Sequence, residues 1–404
     1  MKKGCIVYIY NSFRDPLFQN LMLQYIKTLA KEGVRFHLIT FEQPQYAIAN
    51  EEQIEIKKTL AKEGIHWHPF VHRTGRFLIV KKLIDLLSVS LSILRLKLSS
   101  QVDSIFAFAN VAASHSVIYS KLLGLNLYIY SYEPHAAFLA ELGIWNVNGL
   151  KYRLLNFFER LAAKNAKVVF TGTKYGVELI QSISPNTKAV RLPTSVDEEE
   201  FRYRGDSAQA WKEENQVTQR DIILYIGKFG DLYYPIEKLV SFYEALHKLN
   251  SNYFFVLVTS LDLSIVHACI QRSTIPKDSF YIDQNVSNEM VKVLISAADA
   301  GMSIVPPLEN QKYRSPTKVA EYLLCGLPYV TCRGVSEDDL VAEKEEVGVV
   351  ISDLDATAAP VVHSAVQHWT QNRDLIREKC RAVGVSYRGK SNVDKVFRET
   401  FFDD

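Results

Sequence analysis

The residues with the clearest capacity for chemistry lie in the segment 314–328, where basic and hydroxyl side chains precede a short apolar helix. Ser315 is a residue type that is favoured at a helix N-cap, and Pro316 suits the first helical position. Gly326 fits the position just past the helix C-terminus, and Pro328 prevents the helix from continuing. The pattern therefore predicts a short helix with both ends marked.

Two apolar runs that we predict to be strands flank this helix, one at 301–305 and the other at 329–332. A helix that follows a strand of a parallel sheet directs its N-terminus toward the ligand crevice. Free N–H groups and the helix dipole favour an anion at that end. Lys312, Arg314 and Lys318 add positive charge there. These residues predict a phosphate site, and a capped helix with solvated surface charges is the alternative for the helix alone.

Length and composition limit the class of protein. The 404 residues are enough for two domains with separate cores, and a net charge of +2 gives no reason to expect a nucleic-acid partner. The 5 cysteines are scattered, which predicts a reducing compartment and no zinc site. No apolar run approaches the ~20 residues of a transmembrane helix, and the run at 5–10 is too short for a signal sequence. We expect a cytoplasmic protein.

Strand-like and helix-like patterns alternate along the chain, which is typical of α/β proteins with parallel sheets. We predict strands near 4–10, 34–41, 65–68, 103–109, 126–132, 167–171, 221–227, 253–259, 279–282, 300–305 and 328–332. We predict helices near 17–32, 50–63, 112–124, 150–165, 173–183, 235–249, 262–272, 287–298, 316–325 and 374–384. The polar segment 196–219 interrupts the alternation and is predicted to link two domains.

The segment 314–328, with Glu321 on its helix and a Cys-Gly-Leu-Pro turn at its end, resembles the donor-site signature of the GT-B glycosyltransferases, in particular family 4 (group 1) and its relatives. The resemblance is strong over about 220–335 and weaker before it. It implies a GT-B fold, in which two Rossmann-like α/β domains have parallel sheets that face a central cleft. The implied parts are an acceptor-binding domain at 1–195, the linker at 196–219, a nucleotide-sugar-binding domain at 220–385, and a helix at 386–404 that crosses back to the first domain.

The resemblance also implies roles for residues in the donor domain. In family 4 a Glu on the helix holds the ribose, so Glu321 would do so here, and backbone groups around Val286 would hold the base. The residues implied to hold the diphosphate are Lys228, Arg314, Ser315, Pro316, Thr317 and Lys318. The family often has a second Glu eight positions before the first, and Tyr313 stands there in this chain, which leaves the role of that carboxylate open.

The first domain is expected to hold the acceptor. Its opening turn at 11–16 lacks the Gly-x-Gly-x-x-Gly pattern, which argues against a dinucleotide and a dehydrogenase. Family members often place a His or Asp after the strand at 126–132, so Glu133 and His135 are candidates for catalysis, with polar loop residues that do no chemistry as the alternative. We expect His115 to have a structural role rather than a catalytic one.

The predicted function is transfer of a sugar, of hexosyltransferase type, from a nucleotide-diphosphate sugar to a glycan or lipid-linked acceptor in polysaccharide or glycoconjugate biosynthesis. Family 4 retains anomeric configuration, and the donor phosphate itself can then accept the acceptor proton. Fixed cations and helix N–H groups would stabilise the charge that develops on the β-phosphate. We expect neither a cofactor nor a metal ion, and we interpret the Asp-Leu-Asp string at 353–355 as an ordinary polar loop.

The segment 76–98 is rich in Leu, Ile and Val, and all but one of its charged residues are basic. A basic amphipathic helix can lie on an anionic membrane, and many family relatives dock in this way on membranes. The segment therefore predicts a peripheral membrane contact, with a core helix that has one wet face as the alternative.

Two other functions stay open at this point. A nucleotide-sugar 2-epimerase shares the GT-B scaffold but needs no acceptor, and its first domain should present several convergent acids and histidines. A non-catalytic GT-B binding protein is the second alternative, which Tyr313 and the absence of a Gly-Gly pair in the turn at 11–16 both favour.

Overall fold

The computed structural model describes residues 4–73, 75, 77–99, 102–230, 232–284 and 286–402. The chain divides into two units. One contains the residues up to Leu192 together with those from Asp394 onward, and the other contains Pro193–Val393. Arg76 of the predicted membrane segment and Asn285 of the predicted base loop lie outside the described residues.

The first unit contains a parallel sheet of 7 strands in the order β3-β2-β1-β4-β5-β6-β7. These strands are β1 (Gly4–Ile9), β2 (Arg35–Glu42), β3 (Ile65–Val71), β4 (Val102–Phe108), β5 (Asn126–Ser131), β6 (Val168–Thr171) and β7 (Lys188–Arg191). Every residue of β1 is buried, as expected for an interior strand of a sheet that helices cover on both faces.

Helices connect these strands, and short loops at the carboxyl ends of the strands lead into them. They are α1 (Leu23–Lys31), α2 (Asn50–Lys62), α3 (Leu78–Ser99), α4 (Asn110–Leu123), α5 (His135–Glu141), α6 (Leu150–Asn165) and α7 (Lys174–Ile183). Ile6, Ile105 and Val117 belong to one buried cluster, in which helix α4 packs on the strands β1 and β4.

The second unit contains a parallel sheet of 6 strands in the order β10-β9-β8-β11-β12-β13. Its strands are β8 (Asp221–Ile226), β9 (Tyr253–Val258), β10 (Phe280–Asp283), β11 (Ala300–Ser303), β12 (Tyr329–Cys332) and β13 (Gly348–Ile351). Its helices are α8 (Gly205–Glu214), α9 (Ile236–Leu249), α10 (Leu263–Gln271), α11 (Asn288–Ala297), α12 (Thr317–Leu324), α13 (Asp338–Lys344), α14 (Ala359–Gln371) and α15 (Arg373–Arg388).

The last helix, α16 (Lys390–Phe402), completes the core of the first unit. Phe397 on this helix is fully buried. Its ring lies 4.8 Å from that of Tyr25 on α1 and 5.1 Å from that of Phe170 on β6, centroid to centroid. The chain therefore returns to its first unit at the C-terminus. The predicted segment for this return, 386–404, includes the last turn of α15, which belongs to the second unit.

The segment 196–219 differs from the predicted linker. The structure assigns it to the second unit, and it contains the helix α8, in which Ala208 and Trp211 are buried. The ring of Trp211 packs against Tyr281 at 5.3 Å, centroid to centroid. The predominantly polar composition of the segment hid the helix, because only a few of its side chains anchor it to the core.

Candidate functional site

The second sheet has its topological switch point between β8 and β11. The chain runs from β8 through β9 to β10 on one side and then continues with β11 on the other side of β8. Ligands of doubly wound sheets bind outside the carboxyl ends of the strands at such a point. β8 ends at Ile226 and β11 at Ser303, so the turn at Gly227 and the loop into α12 flank the switch point.

The turn after β8 is fixed by a tyrosine. Tyr225 donates a hydrogen bond from its hydroxyl to the backbone carbonyl of Lys228, with an O···O distance of 2.6 Å. A Cβ at Gly227 would lie 2.7 Å from the hydroxyl oxygen of Tyr225, so a larger residue here would displace the tyrosine ring. The side chain of Lys228 is exposed. Lys228 is the residue predicted to bind the diphosphate. Its backbone is thus held in place, and its ammonium group faces solvent.

Helix α12 begins one residue later than the sequence predicts. Its N-cap is Pro316, with φ −61° and ψ 129°, and no side chain caps its first turn in the described structure. The predicted cap, Ser315, instead directs its hydroxyl to Thr194 and Arg388. The free N–H groups at the start of α12 are therefore left for a ligand, which strengthens the physical case for an anion there.

The end of α12 agrees with the sequence. Gly326 has φ +79°, and the N–H of Leu327 donates to the carbonyl of Tyr322 at 2.8 Å, as in a Schellman motif. The helix is therefore short, with 8 residues from Thr317 to Leu324.

Glu321 and Lys318 form an ion pair on α12, with 2.6 Å between Nζ of Lys318 and Oε2 of Glu321. The side chain of Glu321 is 12% exposed and that of Lys318 is 33% exposed. The sequence predicts that Glu321 holds a ribose and that Lys318 holds a diphosphate. The structure brings these two side chains into contact one turn from the start of the helix.

The remaining predicted donor residues also lie in segments that follow the carboxyl ends of strands in the second sheet. Arg314 is half-buried, and its N–H donates to the carbonyl of Gln311 at 3.1 Å. Thr317 is exposed at the start of α12. Val286 follows β10, which lies two strands from β8, a separation of roughly 10 Å. It packs against the core of the second unit, and its distance from the turn at Lys228 suits a ligand longer than a phosphate.

In the first unit, Glu133 and His135 follow β5. Oε1 of Glu133 lies 3.2 Å from Nδ1 of His135, which is the first residue of α5. The sequence did not identify a third group, Glu159 on α6, which accepts a hydrogen bond from the N–H of Ala136 at 3.3 Å. Burial raises the pKa of Glu159 to about 7, against the opposing effects of that N–H and of His135. Glu133, His135 and Glu159 form the acid–histidine cluster of this unit.

The backbone around this cluster is constrained. Ala109, which follows β4, has φ +71°, a conformation that is costly for a residue with a Cβ and that clusters at functional sites. Its N–H donates to the carbonyl of Tyr130 at 2.9 Å. The side-chain amide of the next residue, Asn110, donates to the carbonyl of Glu133. The loop that carries Glu133 is therefore anchored to β4, beside β5 in the sheet.

Other polar residues that the sequence singled out have structural partners. Asp353 accepts hydrogen bonds from Tyr234 at 2.5 Å and from Lys238 at 2.6 Å, and Asp355 caps a 3-10 helix through the N–H of Thr357. The imidazole of His115 bonds to the hydroxyl of Tyr8 at 3.1 Å. No group of three or more His, Cys, Asp or Glu side chains in the described part of the chain is arranged to hold a metal ion.

No protein-family model matches the chain, and comparison with the curated proteins gives no significant match. Solved structures resemble it over its whole length. HepE from Anabaena, in complex with UDP-glucose, aligns with a TM-score of 0.70 and 11% identity over 99% of this chain and 100% of HepE. WaaG, a glycosyltransferase involved in lipopolysaccharide biosynthesis, aligns with a TM-score of 0.68 and 16% identity over 99% and 100%. The N-terminal domain of Candida albicans trehalose-6-phosphate phosphatase aligns with a TM-score of 0.71 and 10% identity over 99% of this chain and 97% of that domain.

The chain therefore has the GT-B fold, with two Rossmann-like units built on parallel sheets, which confirms the fold that the segment 314–328 predicts. At these identities the likeness establishes the fold and no activity. A fold shared with a protein named as a phosphatase domain shows that the activity must be argued from the site.

Proposed function

We propose that this chain is a glycosyltransferase that moves a sugar from a nucleotide-diphosphate sugar to a glycan or lipid-linked acceptor. The observation that carries the proposal is the start of α12. It lies at the switch point without a side-chain cap, with Arg314 and Lys318 at that end and Glu321 one turn into the helix. HepE, which shares the fold, has been crystallised with UDP-glucose.

In this proposal the donor diphosphate binds at the start of α12. A sugar that leaves from it places negative charge on the β-phosphate. The N–H groups of α12 and the side chains of Lys228, Arg314 and Lys318 would stabilise that charge more strongly in the transition state than in the ground state. Glu321 would exchange its contact with Lys318 for the ribose hydroxyls, which frees Lys318 for phosphate.

We also propose that these cations serve in place of a divalent metal and that the enzyme has no resident cofactor. The support is the number of positive side chains on the loop and helix that flank the switch point. Transfer should then persist after treatment with EDTA, and a requirement for added Mg²⁺ would contradict this part of the proposal.

The first unit is proposed to bind the acceptor, with Glu133 and His135 at the reaction. Transfer with retention of configuration follows from the family resemblance, with the donor phosphate accepting the acceptor proton. The cluster with Glu159 supports a role in proton handling, because an acid whose pKa lies near neutral pH changes charge readily.

A membrane contact through α3 is a further part of the proposal. Among the described side chains of α3, seven large apolar ones are exposed: Val80, Leu83, Ile84, Leu87, Leu91, Leu94 and Leu98. At 3.6 residues per turn they form one stripe, opposite the buried Val89 and Ile93.

The charge on α3 favours an anionic bilayer as the partner of this stripe. Asp85 is buried and paired with Arg73, so the charged side chains that are described at the surface of α3 are the basic Lys81, Arg95 and Lys97. A lipid-linked acceptor would be reached from such a surface. No helix in the described part of the chain has the length and apolar character needed to span a bilayer.

The test of the donor site is calorimetry with UDP, GDP, ADP and dTDP on the wild type, Glu321→Ala and Glu378→Ala. Glu378 is an exposed helical glutamate of the same unit and serves as the matched control. We expect one nucleotide to bind the wild type and the control, and binding to Glu321→Ala to weaken by at least about tenfold, since hydrogen bonds to a carboxylate are lost. Unchanged affinity in Glu321→Ala would contradict the assignment of the ribose site.

The alternative functions separate in the same experiment. A folded wild type that binds none of the four nucleotides would favour a non-catalytic GT-B protein. If one nucleotide does bind, incubation of the matching nucleotide-sugar with the protein alone tests for a 2-epimerase, because that enzyme converts its substrate without an acceptor.

A further inference from the structure

Arg388, the last residue of α15, lies behind the loop that begins α12, and it is fully buried. Its Nη2 donates to Oδ1 of Asp338 at 2.7 Å. Its Nη1 donates to the carbonyl of Thr194 at 3.1 Å, to Oγ1 of Thr194 at 2.8 Å, and to Oγ of Ser315. One guanidinium group thus joins three separate segments of the second unit.

Ser315 is held from two sides at this point. The hydroxyl of Thr194 donates to the carbonyl of Ser315 at 2.8 Å, and the N–H of Thr194 donates to Oγ of Ser315 at 3.2 Å. Arg388 donates to the same Oγ. With its oxygen engaged in this way, the serine does not cap α12, although the sequence pattern favours that cap.

The position of Arg388 is itself fixed by the backbone. Its carbonyl accepts a hydrogen bond from the N–H of Val196 at 3.2 Å. One turn before it, a Cβ at Gly384 would lie 2.9 Å from backbone atoms of Leu323 and Leu324 on α12, so α15 and α12 are in close contact. The guanidinium is therefore carried by a helix that packs directly on the helix of the proposed phosphate site.

Stability alone does not account for the pair of Arg388 and Asp338. Burying two charges is costly, and such a pair is often no more stabilising than apolar residues of the same volume. Here Nε of Arg388 and Oδ2 of Asp338 find no hydrogen-bond partner in the described structure, so the cost is only partly offset. Burial by itself would lower the pKa of Arg388, but Asp338 and Tyr387 raise it, and the group stays charged.

We propose that Arg388 is a positioning residue for the diphosphate half of the donor site. It engages Ser315, so that the first N–H groups of α12 stay available to the ligand, and its ion pair with Asp338 fixes the guanidinium behind the loop. This inference rests on the proposed function, because it concerns the site that would bind the nucleotide-sugar.

The test compares the affinity for the nucleoside diphosphate that the wild type binds with the affinity for the matching nucleoside, by direct and competition calorimetry. Arg388→Lys keeps a positive charge near Asp338 but loses the fork that reaches Thr194 and Ser315 together. We expect its affinity for the diphosphate to fall by about tenfold or more and its affinity for the nucleoside to remain unchanged. A purely structural defect would lower both affinities together.

Thr194→Val is the second variant, because it removes one hydroxyl and leaves the pair of Arg388 and Asp338 intact. We expect a loss of about fivefold to tenfold for the diphosphate alone. Arg373→Lys is the matched control, since Arg373 pairs with the buried Asp299 at 2.9 Å in the same unit. Its affinity for both ligands should equal that of the wild type.

The outcomes separate the two proposals. Wild-type affinity for the diphosphate in Thr194→Val and Arg388→Lys would overturn the positioning role and leave the proposed function standing, as would an equal loss for diphosphate and nucleoside. If Arg388→Lys does not fold, Thr194→Val decides alone. A folded wild type that binds no nucleotide would overturn the proposed function and this inference with it.

Discussion

In both units the candidate residues lie near the carboxyl ends of the strands of a parallel sheet, but the two units assemble these residues differently. In the second unit, Arg314 to Glu321 form one continuous segment, the turn after β8 supplies Lys228, and the loop after β10 supplies Val286. In the first unit, Glu133 and His135 follow β5 and Glu159 comes from α6. Recognition of an anion needs backbone N–H groups and nearby cations, which a short segment can supply. Proton transfer needs side chains that approach each other from separate elements.

The surfaces of the two units differ as well. Exposed large apolar side chains in the second unit are scattered singly, as for Leu249 and Leu375, whereas most of those in the described chain belong to the first unit and seven lie on α3. Scattered exposure needs no explanation, but a continuous stripe indicates a partner. In the proposed function, the second unit therefore binds the charged ligand, and the stripe on α3 of the first unit contacts an apolar partner.

The largest expected effect is on turnover in the first unit. His135→Ala should lower the release of nucleoside diphosphate from the nucleotide-sugar by about 10² to 10⁴, the usual contribution of a general acid or base. Its nucleotide affinity should not change, because the proposed donor site lies in the second unit. Steady-state kinetics and calorimetry on the same preparation measure both. His267→Ala, at an exposed histidine of α10, is the control. Equal losses of turnover and of nucleotide affinity in His135→Ala would break the division of roles.

The next effect concerns the apolar stripe. The double substitution Leu87→Ser with Leu91→Ser should reduce co-sedimentation with vesicles of phosphatidylglycerol and phosphatidylethanolamine by roughly tenfold or more, because two side chains lose the free energy of burial in lipid. The control carries Leu249→Ser and Leu375→Ser, two exposed leucines of the second unit. Vesicle binding that survives the first pair and is lost with the second would reverse the assignment of surfaces.

The helix α12 was largely predictable from the sequence because its signals are local. A Pro before the helix, a Gly after it and basic residues between two apolar runs identify α12 within one short stretch. The role of Ser315 was not predictable, because its preference for an N-cap competes with Thr194 and Arg388, which are distant in sequence. The spacing of Ile376, Cys380, Gly384 and Arg388 at four residues was the available sign that this arginine lies on a buried face.

The first unit's site was harder to predict. Glu159 was missed, although it lies on the same side of α6 as the buried Ala162 and Ala163. An acid on the packed face of a helix is the signal that identifies such a residue, but nothing in the sequence places it beside His135. The positive φ of Ala109 left no trace in the sequence either, because tertiary contacts impose it on a residue that does not favour it.

The smallest expected effect is the pH dependence that Glu159 imposes on the first unit. Burial raises its pKa from 4.5 to about 7, so the folded state binds the proton more tightly than the unfolded state. The stabilisation from this proton is complete at low pH and is lost as pH rises through about 7. Glu159→Gln resembles the protonated form, so wild type and variant should melt alike below about pH 4.5, the unfolded-state pKa of the carboxyl.

Between about pH 5 and pH 8, the melting temperature of the wild type should fall relative to that of Glu159→Gln, by an amount that partial exposure of the side chain keeps to a few degrees. Thermal unfolding across this range measures the difference, and Glu178→Gln, at an exposed acid of α7, should show no such trend. Turnover should lose a pH-dependent limb near neutrality in Glu159→Gln, while nucleotide affinity in the second unit keeps the pH dependence of the wild type. A parallel change in nucleotide affinity would contradict the separate roles proposed for the acid–histidine cluster and the donor site.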